Sequence, residues 1–235
     1  MFEHGRFGAE PGLAEDSRTN GSPTSEGSKA AVTALANRPR GDPRARLLGA
    51  MIQTVAERGY DRTTVSRLLS RAEVPEAVFS EHFRDKHDCF MQAIDAVIGR
   101  AESSAMELFA QARPWPERVS LAIEVLVVAL ARHAEVADVV FVEMLGAGPA
   151  ACERQREALG LFASLLEEGR CLCAEDAYPP KQTSEAIVGG IASIVHRRAL
   201  QGKLAELPSL RADLTYFALL PYLDHERAAA CAGLT

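Results

Sequence analysis

The chain has 235 residues, of which 47% are hydrophobic, enough apolar surface for a substantial core and too much for disorder throughout. Its formal charge is −6, so any attraction to nucleic acid must come from a local surface. Residues 38 to 88 carry ten basic and eight acidic side chains, a local +2 that leaves −8 for the remainder.

The five cysteines (Cys89, Cys152, Cys171, Cys173 and Cys231) are odd in number and scattered, and no basic-then-apolar leader opens the sequence, so a reducing cytoplasm is expected. The densest apolar runs, at 125–131 and 136–142, are far shorter than the ~20 residues of a membrane span, and no membrane partner is expected.

Residues 1–41 are rich in Gly, Ser, Pro, Thr and Glu and read as a disordered tail. From Pro43 onward Leu47, Leu48, Met51, Ile52 and Val55 recur on one helical face, and Gly59 ends that helix. A short second helix starts at Thr63 or Thr64, buries Val65, Leu68 and Leu69, and stops near Arg71. Three residues later Pro75 suits the first position of a third helix, whose inner side holds Val78, Phe79, His82 and Phe83.

Asp85 caps a long fourth helix that runs from Lys86 toward Pro114. Further helices are predicted near 116–133, 135–145, 150–173, 181–201 and 208–224. The Val-rich stretches at 125–130 and 139–142 also suit buried strands, but their continuation into Ala, Leu, Glu and Arg favours helix.

Three short helices with a three-residue turn between the second and third make a helix-turn-helix, the second member of which can enter a major groove about 12 Å wide. The stretch RARLLGAMIQTVAERGYDRTTVSRLLSRAEVPEAVFSEHFRDKHDCF resembles the N-terminal domain of the tetracycline-repressor (TetR) family, anchored on Ala56, Gly59, Tyr60, Thr64, Val65, Ala72, Val74, Phe79, His82, Phe83 and Lys86. The resemblance continues more weakly through FVEMLGAGPAA and IVHRRALQGKLAELPSL to YFALLPYL.

The resemblance implies an all-α chain with a helix-turn-helix domain at 42–88, a helical effector-binding and dimerisation domain at 89–226, and a flexible C-terminus at 227–235. It further implies a homodimer that binds a palindromic double-stranded operator, represses by default and releases DNA on binding a small molecule. Thr64 and Lys86 would meet phosphates, with Arg44 and Arg46, together with Arg38 and Arg40, adding contacts from the preceding arm. Glu76, Ala77, Val78, Ser80 and Glu81 occupy the leading and outward positions of the recognition helix, and His82 would touch the backbone.

Departures from the family pattern are specific. Glu73 stands in place of a turn glycine, Leu69 in place of a small residue at the helix crossing, Glu76 in place of a frequent Lys, and Ser80-Glu81 in place of a common Tyr-His pair. A non-glycine residue with positive φ at position 73 would cost on the order of 1 kcal/mol.

Candidate effector-lining residues are Phe109, Trp115, Phe141, Met144 and Phe162, which a packed core would use equally well. The low bulk of Ala186, Gly189, Gly190 and Ser193, with Arg197 and, on the last predicted helix, Tyr216 and Leu220, marks a candidate dimer interface. The spacing of His82 and His87 places them on different helix sides, and Cys171 and Cys173 lack a second ligand pair, so no metal is expected. No nucleophile-base or paired-carboxylate arrangement stands out, so neither an enzyme nor a cofactor is predicted. The other reading is an interaction module whose acidic third helix has lost specific DNA binding and takes a protein partner.

Overall fold

The computed structural model describes residues 42–173 and 178–234; the expected tail at 1–41, including Arg38 and Arg40, lies outside the described residues. Ten α-helices and three 3-10 segments account for nearly all of the described chain, and both Val-rich stretches are helical.

Helix α1 (Pro43–Arg58) begins where Asp42 accepts a hydrogen bond from the Arg44 N–H at 2.9 Å, with proline at the first turn. It buries Leu47, Met51 and Val55, and the buried Thr54 hydroxyl is satisfied by the Ala50 carbonyl at 2.7 Å. Gly59, at φ 84°, closes the helix by donating to the Val55 carbonyl.

Helix α2 (Val65–Ala72) ends on Glu73, which adopts the left-handed conformation at φ 54°, ψ 49°. The Val74 N–H reaches back to the Leu69 carbonyl at 3.2 Å, and both side chains join the same apolar cluster, the hydrogen bond and contact of a Schellman stop. Leu69 is thereby used as the apolar half of the turn. Helix α3 (Glu76–His82) starts one residue later than predicted, because Pro75 stays extended at ψ 158°. Phe79 and Phe83 anchor α3, with ring centroids 5.3 Å apart.

Helix α4 (Lys86–Phe109), about 36 Å long, serves two cores. Its first half buries Cys89, Phe90, Ala93, Ile94, Val97 and Ile98 against α1, α2 and α3. Its last turns bury Ala105, Leu108 and Phe109 in a second core. The N-terminal core therefore runs past Asp88, and it also takes Val139, Met144, Ala147, Ala151 and Ala158 from later segments.

The second core is built by α5 (Trp115–Arg132), α6 (Ala134–Phe141), α7 (Pro149–Glu167), α8 (Thr183–Leu200), α9 (Arg211–Leu219) and α10 (His225–Ala232). Several predicted single helices are broken. The one expected to reach Leu145 changes at Val142 into a 3-10 turn at Glu143–Gly146, and the one expected to reach Cys173 tightens to 3-10 geometry at Glu168–Leu172. Pro208 lies in a 3-10 segment, Leu204–Leu210, so α9 starts only at Arg211.

The expected flexible end at 227–235 is corrected through residue 232. Asp224 caps α10 by accepting from the Arg227 N–H at 2.8 Å, and Ala228 and Ala232, one turn apart, are fully buried. Small alanines form a weak periodic signal, yet they let α10 lie close against the body of the domain.

Glu73 is the sole non-glycine residue with positive φ among the described residues. Replacing it by glycine (Glu73→Gly) should raise unfolding stability by about 1 kcal/mol. Urea denaturation followed by circular dichroism checks this; an unchanged or lower midpoint would show that the Glu73 side chain offsets its backbone cost.

Candidate nucleic-acid interface and sensor core

Helix α3 is held from beneath by Phe79 and Val78, which leaves Glu76, Ala77, Ser80 and Glu81 exposed on its outer side. Val78 is half-buried and points inward, so it is not available to a groove. The Ser80 hydroxyl donates to the Glu76 carbonyl of its own helix at 3.2 Å. His82 is exposed on a different side, its ring edge-on to Phe83 at 6.1 Å.

Around α3 the expected phosphate contacts divide. Thr64 is exposed at the start of α2, its hydroxyl 3.2 Å from that of Ser66 and making no cap hydrogen bond. Lys86 is half-buried: Nζ donates to the Tyr60 carbonyl at 3.0 Å and lies 4.1 Å from the centre of the Tyr60 ring, a cation–π contact. Arg44 is committed internally, donating to Gln92 Oε1 at 2.6 Å with its guanidinium 6.0 Å over Phe83, and Arg46 Nε is buried without a hydrogen bond. Arg44 is therefore engaged within the fold, while Arg46 is half-buried with no ion pair to another described residue.

Arg84 was not among the predicted contacts, yet its side chain is 87% exposed just beyond α3. It pairs at 3.3 Å with Asp88, which also accepts from the Arg84 N–H at 2.9 Å, while Asp85 accepts from the Asp88 N–H at 2.8 Å. These reciprocal bonds fix the start of α4. Donation from the Arg84 backbone and then its side chain holds the Asp88 carboxyl down at about 2.

In the second core Phe109 and Trp115 are buried, with Phe141 and Phe162 packed against the same cluster. Trp115 Nε1 donates to the Leu165 carbonyl at 3.2 Å, its ring meets Tyr222 at 5.1 Å, and a Cβ on Gly169 would stand 2.5 Å from it. Met144, predicted with them, belongs instead to the N-terminal core, because the turn carrying it bends toward α1.

On α8, Ala186, Gly189, Ser193 and Arg197 are exposed and Gly190 half-exposed; on α9, Tyr216 is half-buried. A Cβ on Gly190 would meet the Phe217 ring at 3.4 Å, so the glycine lets α9 approach. Three apolar side chains are left open on or just beyond these helices: Leu200 at 65%, Phe217 at 45% and Leu220, the residue that follows α9, at 41% exposure. Leu200 and Phe217 went unpredicted; the triplet Phe217, Leu220 and Tyr216 at helical spacing is the signal that could have found the latter.

Residues 47–93 match the family model for bacterial regulatory proteins of the tetR family, a stretch that runs from α1 through the start of α4. That stretch of the chain is similar to the DNA-binding domain of the tetR family of regulators. The chain has the fold of the fatty acid degradation regulator FadR from Bacillus halodurans, at 20% identity and TM-score 0.67, covering 78% of this chain and 97% of that one. It is likewise similar to FadR from Bacillus subtilis, solved in complex with stearoyl-CoA, at 18% identity and TM-score 0.67, covering 75% and 97%. A TetR-family regulator from Syntrophomonas wolfei shares the fold at 16% identity and TM-score 0.62, covering 77% and 96%. No curated protein matches the chain by sequence.

Two polar links join the N-terminal helix-turn-helix head to the larger domain. Glu143, in the turn after α6, accepts a hydrogen bond from the Tyr60 N–H at 2.8 Å, just beyond the end of α1. Arg154 of α7 binds Glu102 of α4 through both Nη atoms at 2.8 and 2.9 Å and Asp95 through Nε at 3.0 Å. The bidentate geometry makes this a directional clamp on α4. Among the described residues no helix is long and apolar enough to cross a membrane.

Asp88→Ala removes the acceptor for the Arg84 N–H and side chain and should cost about 1 kcal/mol at neutral pH. Because the folded carboxyl sits at about 2 and the unfolded one near 4, the contribution is present above about pH 4 and lost as pH falls toward 2. The stability gap between wild type and variant, followed by urea unfolding across that range, should close on acidification; a gap independent of pH would contradict the capping role.

Proposed function

We propose that the chain is a homodimeric, non-enzymatic DNA-binding repressor of the cytoplasm that binds a roughly palindromic operator and leaves it when a small amphipathic effector enters the larger domain. The observation that carries this reading is the exposed face of α3, held by Phe79, Phe83 and the Schellman turn within the matched stretch. Two such helices would sit in successive major grooves about 34 Å apart. The open apolar face of Leu200, Phe217 and Leu220 beside the small residues of α8 supports the second copy. Thr64, Lys86 and Arg84 supply phosphate contacts, for which Lys86 exchanges the Tyr60 carbonyl for the DNA backbone.

The effector is taken to be a long-chain acyl compound, by analogy with the fatty acid regulators that share the fold and with the stearoyl-CoA of the Bacillus subtilis protein. The aromatic group of Phe109, Trp115, Phe141 and Phe162 suits an apolar tail. An effector acts only through its differential affinity for the two states of the dimer, and the Glu143–Tyr60 bond and the Arg154 clamp are the contacts through which such a difference reaches the head. The second reading, a protein-binding module, is favoured only by the absence of a cation on the outer side of α3.

Selection from random duplexes at low salt, read by sequencing, should enrich an inverted repeat, and stearoyl-CoA should release it; no enrichment would reject DNA reading, and enrichment unaffected by acyl compounds would reject the effector class. Arg84→Ala should weaken binding to every sequence while reducing the salt slope by roughly one counterion. Glu143→Ala should leave effector binding intact but cut its effect on operator affinity at least severalfold, measured as the ratio of operator Kd with and without effector.

A further inference from the structure

At 100° per residue, Glu76, Ser80, Ala77 and Glu81 sweep about 140° of the α3 surface, and all four are exposed. Ala77 is too short to carry a polar contact, and the Ser80 hydroxyl is turned back to the Glu76 carbonyl. The two long polar groups left on that face are both carboxylates, with no arginine, lysine, asparagine or glutamine on α3. Neither Glu76 nor Glu81 has a side-chain hydrogen bond or ion pair with another described residue, unlike Glu57, which Arg71 holds on the neighbouring helices.

Carboxylates accept hydrogen bonds and cannot donate them at neutral pH. In the major groove guanine presents only acceptors and thymine an acceptor and a methyl group, so neither offers Glu76 or Glu81 a partner. Adenine offers the N6 amino group next to the N7 acceptor, which opposes a carboxylate. Cytosine offers the N4 amino group without that neighbouring acceptor.

Resting on the DNA-reading function above, we infer that Glu76 and Glu81 are the specificity-determining residues of this helix and that each selects cytosine on the strand it faces. The operator half-site is then read by acceptors, with guanine specified only as the partner of a contacted cytosine. The carboxylates repel phosphate, so backbone affinity comes from cations off α3, chiefly Arg84 and Lys86.

The test is duplex selection with the full-length protein as wild type, Glu76→Gln and Glu81→Gln, at matched salt. Both positions are exposed and the substitutions keep side-chain size, so circular dichroism should show unchanged folding. The wild-type motif should contain two cytosine columns per half-site. Each variant should convert one of them to adenine, because glutamine pairs with N6 and N7, with about a tenfold change in relative preference at that column. A variant that leaves both cytosine columns unchanged overturns the assignment for the residue it replaces. A wild-type motif with no cytosine contacts overturns the inference and leaves DNA reading standing, whereas no enriched motif at all overturns both.

Discussion

Helix α4 belongs to two cores at once, and the rest of the molecule is arranged around that constraint. Its first three turns complete the apolar interior of the N-terminal head, and its last turns enter the larger domain. One continuous helix is thus packed into both cores. Its start is fixed by the Asp85 and Asp88 caps, its middle by Arg154, and its end by burial of Leu108 and Phe109.

Tyr60 supplies the second crossing point. Its N–H is held by Glu143 from the larger domain, its carbonyl by Lys86 of α4, its hydroxyl lies 3.1 Å from His87 Nδ1, and its ring packs on Phe90 at 4.7 Å. One residue therefore ties the end of α1, the start of α4 and the turn after α6. The same Lys86 is one of the proposed phosphate contacts, so a charge that would meet DNA also ties Tyr60 to the start of α4.

The head combines a conventional frame with an unconventional surface. Val74, Phe79 and Phe83 set α3 at a fixed place, and the Schellman turn absorbs two of the departures: Leu69 as its apolar half and Glu73 as its left-handed residue. The other two, Glu76 and Ser80-Glu81, lie on the exposed outer side of α3. They change only what α3 presents to a partner, which separates the chemistry of recognition from that of folding.

Much of this was legible in the sequence. The cap at Asp85, the stop at Gly59 and the spacing of Leu47, Met51 and Val55 are local signals, and they placed the starts of α1 to α4 within about one residue. The positive φ of Glu73 was legible only through the family resemblance, because Glu73 stands where that pattern has a turn glycine. Tertiary structure alone decided that Met144 joins the head's core, that Arg44 is spent on Gln92, that Glu143 holds Tyr60 across 83 positions, and that the alanines of α10 are interior. Each of these depends on which distant surface a side chain meets. Periodicity reports that a face will be buried, and it carries no information about the partner that buries it.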